Sequence, residues 1–178
     1  MKRILMILAL NVTGWCASYD PFLLDTQLSL LPKIAILDKN IIFSHNKSPF
    51  KILIAYDRGD DDIAASSAKT LMKKFDGRIN GHPLSVTTLP CDKLDSSALY
   101  HFIYVLKASM SQLKKVHNTA ASSGAITAIY NADKLVESGL LLSIQMERTP
   151  IILINAKVLR ENRFSFPDSL LEIVRMVQ

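Results

Sequence analysis

The sequence predicts an α/β fold: three layers, with a mainly parallel central sheet and an antiparallel edge hairpin. Three observations predict it. Phe50–Phe75 reads as one strand-to-helix unit, Tyr100–Tyr130 repeats that rhythm, and the last third carries two strands separated by a polar turn. In the first unit Phe50, Ile52, Leu53, Ile54, Ala55 and Tyr56 form a run too continuously apolar for a half-exposed strand. Such a run is expected where helices cover both faces of a sheet. Ile63, Ala64, Ala68, Leu71, Met72 and Phe75 then recur at helical intervals, with Asp60 or Asp61 placed to cap the first turn and Gly77 to end the helix.

In chain order, residues 1–18 have a basic start (Lys2, Arg3), an apolar centre from Ile4 to Leu10 and small residues at Ala17 and Ser18. This is the pattern of a secretory signal peptide. The centre is shorter than the about 20 residues that an ordinary anchor helix needs. Cleavage after Ser18 would leave residues 19–178 as a single domain. A buried first strand is the alternative. Lipidation at Cys16 is disfavoured because Val12–Trp15 lack the usual Leu and the small residue before the Cys.

Phe22–Leu37 holds Leu24, Leu28, Leu31, Ala35 and Ile36 at near-helical spacing, with Pro32 expected to kink the helix or start a second one. Ser44–Pro49 is a polar loop before the first strong strand. Asp76–Pro83 is rich in turn residues, and Leu84–Leu89 reads as a strand ended by Pro90. After the link Cys91–Ser97 comes the apolar strand Tyr100–Leu106. Ser109 can cap a helix whose Met110, Leu113, Val116 and Ala120 share a face, and Ser122–Gly124 closes it before the strand Ala125–Tyr130. Leu140–Gln145 and Pro150–Asn155 flank Met146–Thr149 as a hairpin. A short helix begins at Asn155 or Ala156 and runs through Arg160. Pro167 then opens a last helix, Asp168–Met176, with Leu170, Leu171, Val174 and Val177 as its buried stripe.

Length and charge bound the function. At 178 residues the chain has room for one sizeable core. Its formal net charge is +5, of which Lys2 and Arg3 supply 2, and the remaining cations are scattered singly or as pairs such as Lys73–Lys74 and Lys114–Lys115. That argues against nucleic acid as a partner. With Cys16 removed, Cys91 would be alone. It reads as a half-buried small residue or, alternatively, as a thiol for intermolecular pairing.

Candidate chemistry gathers after the first strong strand. Asp57, Asp60, Asp61 and Asp62 follow the end of Phe50–Tyr56, where open parallel sheets bind ligands. They could hold a hard cation, or Asp57 could accept a phosphoryl group, but acidic residues also belong in a first helical turn for the dipole alone. Helix capping is the preferred reading, so no metal and no cofactor is assigned. The four histidines (His45, His82, His101, His117) show no paired metal spacing, and no G-x-S-x-G elbow is present. Catalytic residues are therefore not assigned and the chain does not read as an enzyme. Arg58, Asn155 and Arg163 join Asp57 and Asp60 as candidate binding residues. Arg58 lies in the strand-end turn, Asn155 ends a strand and doubles as a helix cap, and Arg163 doubles as a solvated loop charge.

Three segments, FDGRINGHPLSVTTL (Phe75–Leu89), YHFIYVL (Tyr100–Leu106) and GLLLSIQMERTPIILINAKVLRENRFSFPDSLLEIVRMV (Gly139–Val177), together resemble the YfiR family of small periplasmic proteins. Their order and spacing carry the resemblance, which covers most of Phe50–Val177. Two features depart from the family. Only Gly139 of its paired glycines is present, and its Cys before the strand at Tyr100 is missing. Family cysteine pairs are linked to redox sensitivity, and Cys91 has no partner for such a pair. The resemblance implies a periplasmic, non-catalytic regulator that binds the periplasmic sensor domain of a membrane-bound diguanylate cyclase, represses it and lowers cyclic di-GMP and biofilm output. A homodimer is a further partner reading. The alternative function is a periplasmic small-ligand receptor or transport-associated binding protein.

Overall fold

The computed structural model describes residues 19–41, 48–95, 97–162 and 164–178. The segment read as a signal peptide, His45 and Arg163 lie outside the described residues. Among the described residues, eight strands form one sheet in the order β2-β3-β1-β4-β5-β6-β7-β8. They are β1 (Phe50–Tyr56), β2 (Arg78–Ile79), β3 (His82–Pro90), β4 (Phe102–Val105), β5 (Ile126–Ile129), β6 (Leu142–Met146), β7 (Pro150–Asn155) and β8 (Arg175–Val177). The helices are α1 (Pro21–Ala35), α2 (Asp61–Lys74), α3 (Met110–Ser123), α4 (Leu135–Ser138), α5 (Ala156–Glu161) and α6 (Asp168–Leu171).

The centre of the sheet is parallel. β1 pairs with β3 along its whole length, from Phe50 opposite Leu84 to Tyr56 opposite Pro90, and on its other side Ile52–Ala55 lie opposite Phe102–Val105. The chain leaves β1 through α2 toward β3 and leaves β4 through α3 toward β5, in opposite directions along the sheet. Crossovers of one hand then put the two helices on opposite faces. Strand residues divide accordingly. Ile52, Ile54, Tyr56 and Tyr104 pack with Leu28 and Leu31 of α1 and Leu71 of α2. Leu53, Ala55, Ile103 and Val105 pack with Leu113 and Val116 of α3 and Leu135 of α4. These are the three layers the apolar runs predict.

Both ends of α3 follow the sequence. Ser109 forms a full capping box with Gln112, and Gly124 closes the helix in the left-handed region at φ 69°. Pro32 lies inside α1 without dividing it. Two readings are corrected at the edges. The predicted last helix, Asp168–Met176, is helical only over Asp168–Leu171; Arg175–Val177 instead pairs parallel with Leu153–Asn155 of β7. β7 would otherwise present an unpaired ladder, and β-branched Val177 suits the extended chain of β8. The hairpin β6–β7 is therefore present, in antiparallel register from Leu142–Ile154 to Met146–Pro150, but it is internal to the sheet. The edge hairpin is β2–β3, where the sequence suggested a turn-rich link: Arg78 and Ile79 pair with Pro83 and His82 across a turn in which Asn80 and Gly81 both have positive φ.

Candidate functional site

The parallel strands β1, β3, β4 and β5 end on one edge of the sheet, and the chain reverses its direction of travel between β1 and β4. A reversal of this kind is where open parallel sheets form a ligand crevice beyond the strand ends. Its floor is the turn after β1, Asp57–Asp60, in which Gly59 takes φ 99°, a conformation L side chains adopt rarely. On its β4 side stands Lys107, two residues past the end of that strand.

Two clusters form there. In the outer one, Asp57 Oδ1 accepts from the Arg58 backbone N–H (2.8 Å) and from Gln112 Nε2 of α3 (2.7 Å). Arg58 turns away and donates through Nε (3.2 Å) and Nη2 (2.6 Å) to Asp92 Oδ2, just past the end of β3. The hydrogen bond from Arg58 holds the Asp92 carboxyl below its ordinary range. The pair is solvent-exposed and stabilises little on its own.

The inner cluster is built around a residue the sequence reading passed over, Tyr19. Its hydroxyl donates to Asp60 Oδ2 and accepts the Lys107 backbone N–H (2.9 Å). The Lys107 ammonium stands 4.7 Å from the centre of the Tyr19 ring and 5.5 Å from that of Tyr130. The two rings meet edge to face at 4.8 Å. Tyr130 Oη in turn accepts the Asp20 N–H at 2.8 Å. Burial and the bond to Asp60 push the Tyr19 phenol far above its ordinary range, and burial raises that of Tyr130. Asp60 stands at the N-cap position of α2, as read from the sequence, yet its side chain makes no cap hydrogen bond. Only 8% exposed, it is committed to Tyr19.

The remaining candidates are elsewhere. β7 runs against β6, so Asn155 at its end lies on the opposite edge of the sheet from Asp57, Arg58 and Asp60. Its side chain caps α5, accepting from the Lys157 and Val158 amides at 3.2 and 3.3 Å. It also borders a cavity of about 530 Å³ between α3, α4 and α5, whose walls include Lys114, His117, Glu137, Lys157 and Arg160. Cys91 is fully buried, not half-buried as the sequence suggested, and burial pushes its thiol up to about 12. Pairing with a second copy through this thiol would first require its segment to open. His82 and His117 hydrogen-bond to backbone carbonyls (Ser48 and Gly139), and His101 accepts the Lys51 N–H. Among the described residues no group of three or more His, Cys, Asp or Glu is placed to hold a metal ion.

No protein-family model and no curated protein matches the chain. Solved structures do match. A conserved domain protein from Vibrio cholerae O1 biovar El Tor is 13% identical with a TM-score of 0.58, over 87% of this chain and 60% of that one. The ABC domain in complex with L-Trp from Streptococcus pneumonia is 15% identical with a TM-score of 0.59, over 88% of this chain and 62% of that one. The chain thus spans about three-fifths of the length of each. At such identities the likeness establishes the α/β fold alone.

Proposed function

We propose that the chain is a non-enzymatic, YfiR-like regulatory domain that acts in the periplasm by binding the sensor domain of a membrane-bound diguanylate cyclase and repressing it. The observation that carries this reading is Tyr19. The crevice where an α/β domain of this topology would hold a ligand is filled by the chain's own side chain, locked to Asp60 and to the Lys107 amide. While Tyr19 occupies that place, recognition of a protein partner falls to the exterior, where the exposed Arg58–Asp92 pair marks the rim of that end. The family-like order of segments from Phe75 to Val177 supports the same role. Deleting the gene should raise cyclic di-GMP severalfold in cells that carry the partner cyclase, and the tagged protein should retain that cyclase on purification from native membranes. Unchanged cyclic di-GMP together with no retained cyclase would overturn the reading.

A second reading, a small-ligand receptor, is favoured by the fold likeness to a domain solved with L-Trp and by the cavity of about 530 Å³ beside Asn155. Saturable binding of L-Trp to the purified protein, weakened by Lys157→Ala at the cavity wall, would favour it over the first.

A further inference from the structure

Asp60 begins α2 with its backbone at φ −100°, ψ 16°, outside the extended region from which an N-cap side chain reaches its own first turn, so its carboxylate turns elsewhere. An aspartate at an N-cap ordinarily accepts an amide of its own first turn. Here that bond is absent although α2 is 14 residues long, and the nearly buried carboxylate takes the phenol of Tyr19 instead, a residue 41 positions away. The cradle around that phenol is complete: Asp60 accepts from it, the Lys107 amide donates to it, the Lys107 ammonium faces its ring, and Tyr130 meets the ring edge-on. Every one of these contacts is made to side-chain atoms of Tyr19. A free phenol of the same size could make them all. The cradle also sits at the reversal point between β1 and β4, where open α/β sheets bind ligands.

We infer that the strand-end crevice is a binding site for a small para-substituted phenol, and that Tyr19 is its intramolecular occupant, an autoinhibitory latch that such a ligand displaces. The inference stands whichever partner the exterior binds. Displacement has a structural consequence. Tyr19 precedes Asp20, which caps α1 by accepting the Leu23 N–H (2.9 Å) and gives its own N–H to Tyr130 Oη. A ligand that expels the Tyr19 ring pulls on that cap and loosens the first turn of α1. Because the ligand binds only the open fraction of molecules, its apparent affinity for the intact protein is reduced by that fraction.

The probe is p-cresol, the side chain of tyrosine as a free molecule, with 4-methylanisole as the analogue whose oxygen cannot donate to Asp60. Calorimetry on the purified protein should show saturable, one-to-one binding of p-cresol to Tyr19→Ala, at least tenfold tighter than to the unaltered chain. 4-Methylanisole should bind Tyr19→Ala at least tenfold more weakly than p-cresol, since it leaves the Asp60 acceptor unmet. Tyr19→Phe keeps the ring and loses both hydroxyl bonds, so it should bind p-cresol several-fold more tightly than the unaltered chain, even if Tyr19→Ala folds only with p-cresol present. In the unaltered protein, saturating p-cresol should speed hydrogen exchange at residues 20–24. Equal binding of p-cresol and 4-methylanisole would reduce the crevice to an unspecific hole and overturn the proposal. So would the absence of any gain in Tyr19→Phe, or binding to the unaltered chain with no change in exchange at residues 20–24.

Discussion

At the scale of single residues, Cys91 shows how far position outweighs residue type. It follows Pro90 at the end of β3 and is enclosed by Leu53, Leu94 and Leu113 in the core beneath α3. Taking the thiolate out of water raises the thiol to about 12, and the nearby Asp57 and Asp92 push in the same direction. Thiolate is the reactive form, so at pH 8 only about one molecule in 10⁴ would present it. Iodoacetamide should therefore leave Cys91 untouched in the native protein over hours and label it fully in 6 M urea. Rapid native labelling would show the segment to be open, and would restore intermolecular pairing as a role. Part of this was readable in the sequence, since a lone Cys after a strand reads as a packed residue. The depth of burial was not, because it depends on where α3 lies across the sheet. Asp60 teaches the same lesson. Its place at the head of α2 follows from local spacing, whereas the partner of its side chain comes from a residue 41 positions earlier.

At the scale of elements, α1 is held to the sheet by more than its apolar stripe. Leu24, Leu28, Leu31 and Ala35 repeat at intervals that reveal the helix and its inward face. Gln27 falls on that face and is 0% exposed. Its Nε2 donates to the carbonyls of Tyr130 and Ile144, each at 3.0 Å, and its Oε1 accepts the Tyr104 hydroxyl at 2.6 Å. One amide thereby satisfies groups from β4, from the residue just past β5 and from the middle of β6. Removing it strands a buried hydroxyl and two carbonyls, each costing about 1–3 kcal/mol. Gln27→Ala should lower the urea-unfolding free energy by roughly 3 kcal/mol or more. Phe22→Ala, at a side chain 66% exposed on the same helix, should change it by less than about 0.5 kcal/mol. Similar losses at the two sites would mean that α1 is anchored some other way. A polar residue on a predicted core face is visible in a sequence, but its partners are not. The C-terminal stretch failed for a related reason: Leu170, Leu171, Val174 and Val177 match a helical stripe, yet the open edge of β7 offers Arg175–Val177 backbone partners that no local pattern records.

At the scale of the whole molecule, the protonation states that burial favours all point one way, and they set how stability depends on pH. Cys91, Tyr19, Tyr56, Tyr104 and Tyr130 are each raised above their ordinary values, with burial as the leading cause. An unfolded chain releases the Cys proton from about pH 8.5 and the Tyr protons from about pH 10, while the folded chain keeps them. The unfolded state then binds fewer protons, so the slope of unfolding free energy against pH is negative. The stabilisation is whole below about pH 8.5. For Cys91 it is lost between there and about 12, at close to 1.4 kcal/mol per pH unit once within the window. The acid side differs. Asp92 and Asp95 are lowered, Asp92 by Arg58 and Asp95 by Ser97, so their contribution is lost as pH falls through the carboxylate range. Both lie at the surface, where solvent screens the effect. The urea midpoint should accordingly fall steeply from pH 9 to 11 and only gently from pH 5 to 3. Between pH 9 and 10, before the tyrosines contribute, Cys91→Ala should remove most of the alkaline slope. A flat midpoint across that interval in the unaltered protein would show that Cys91 ionises as freely inside the fold as outside it.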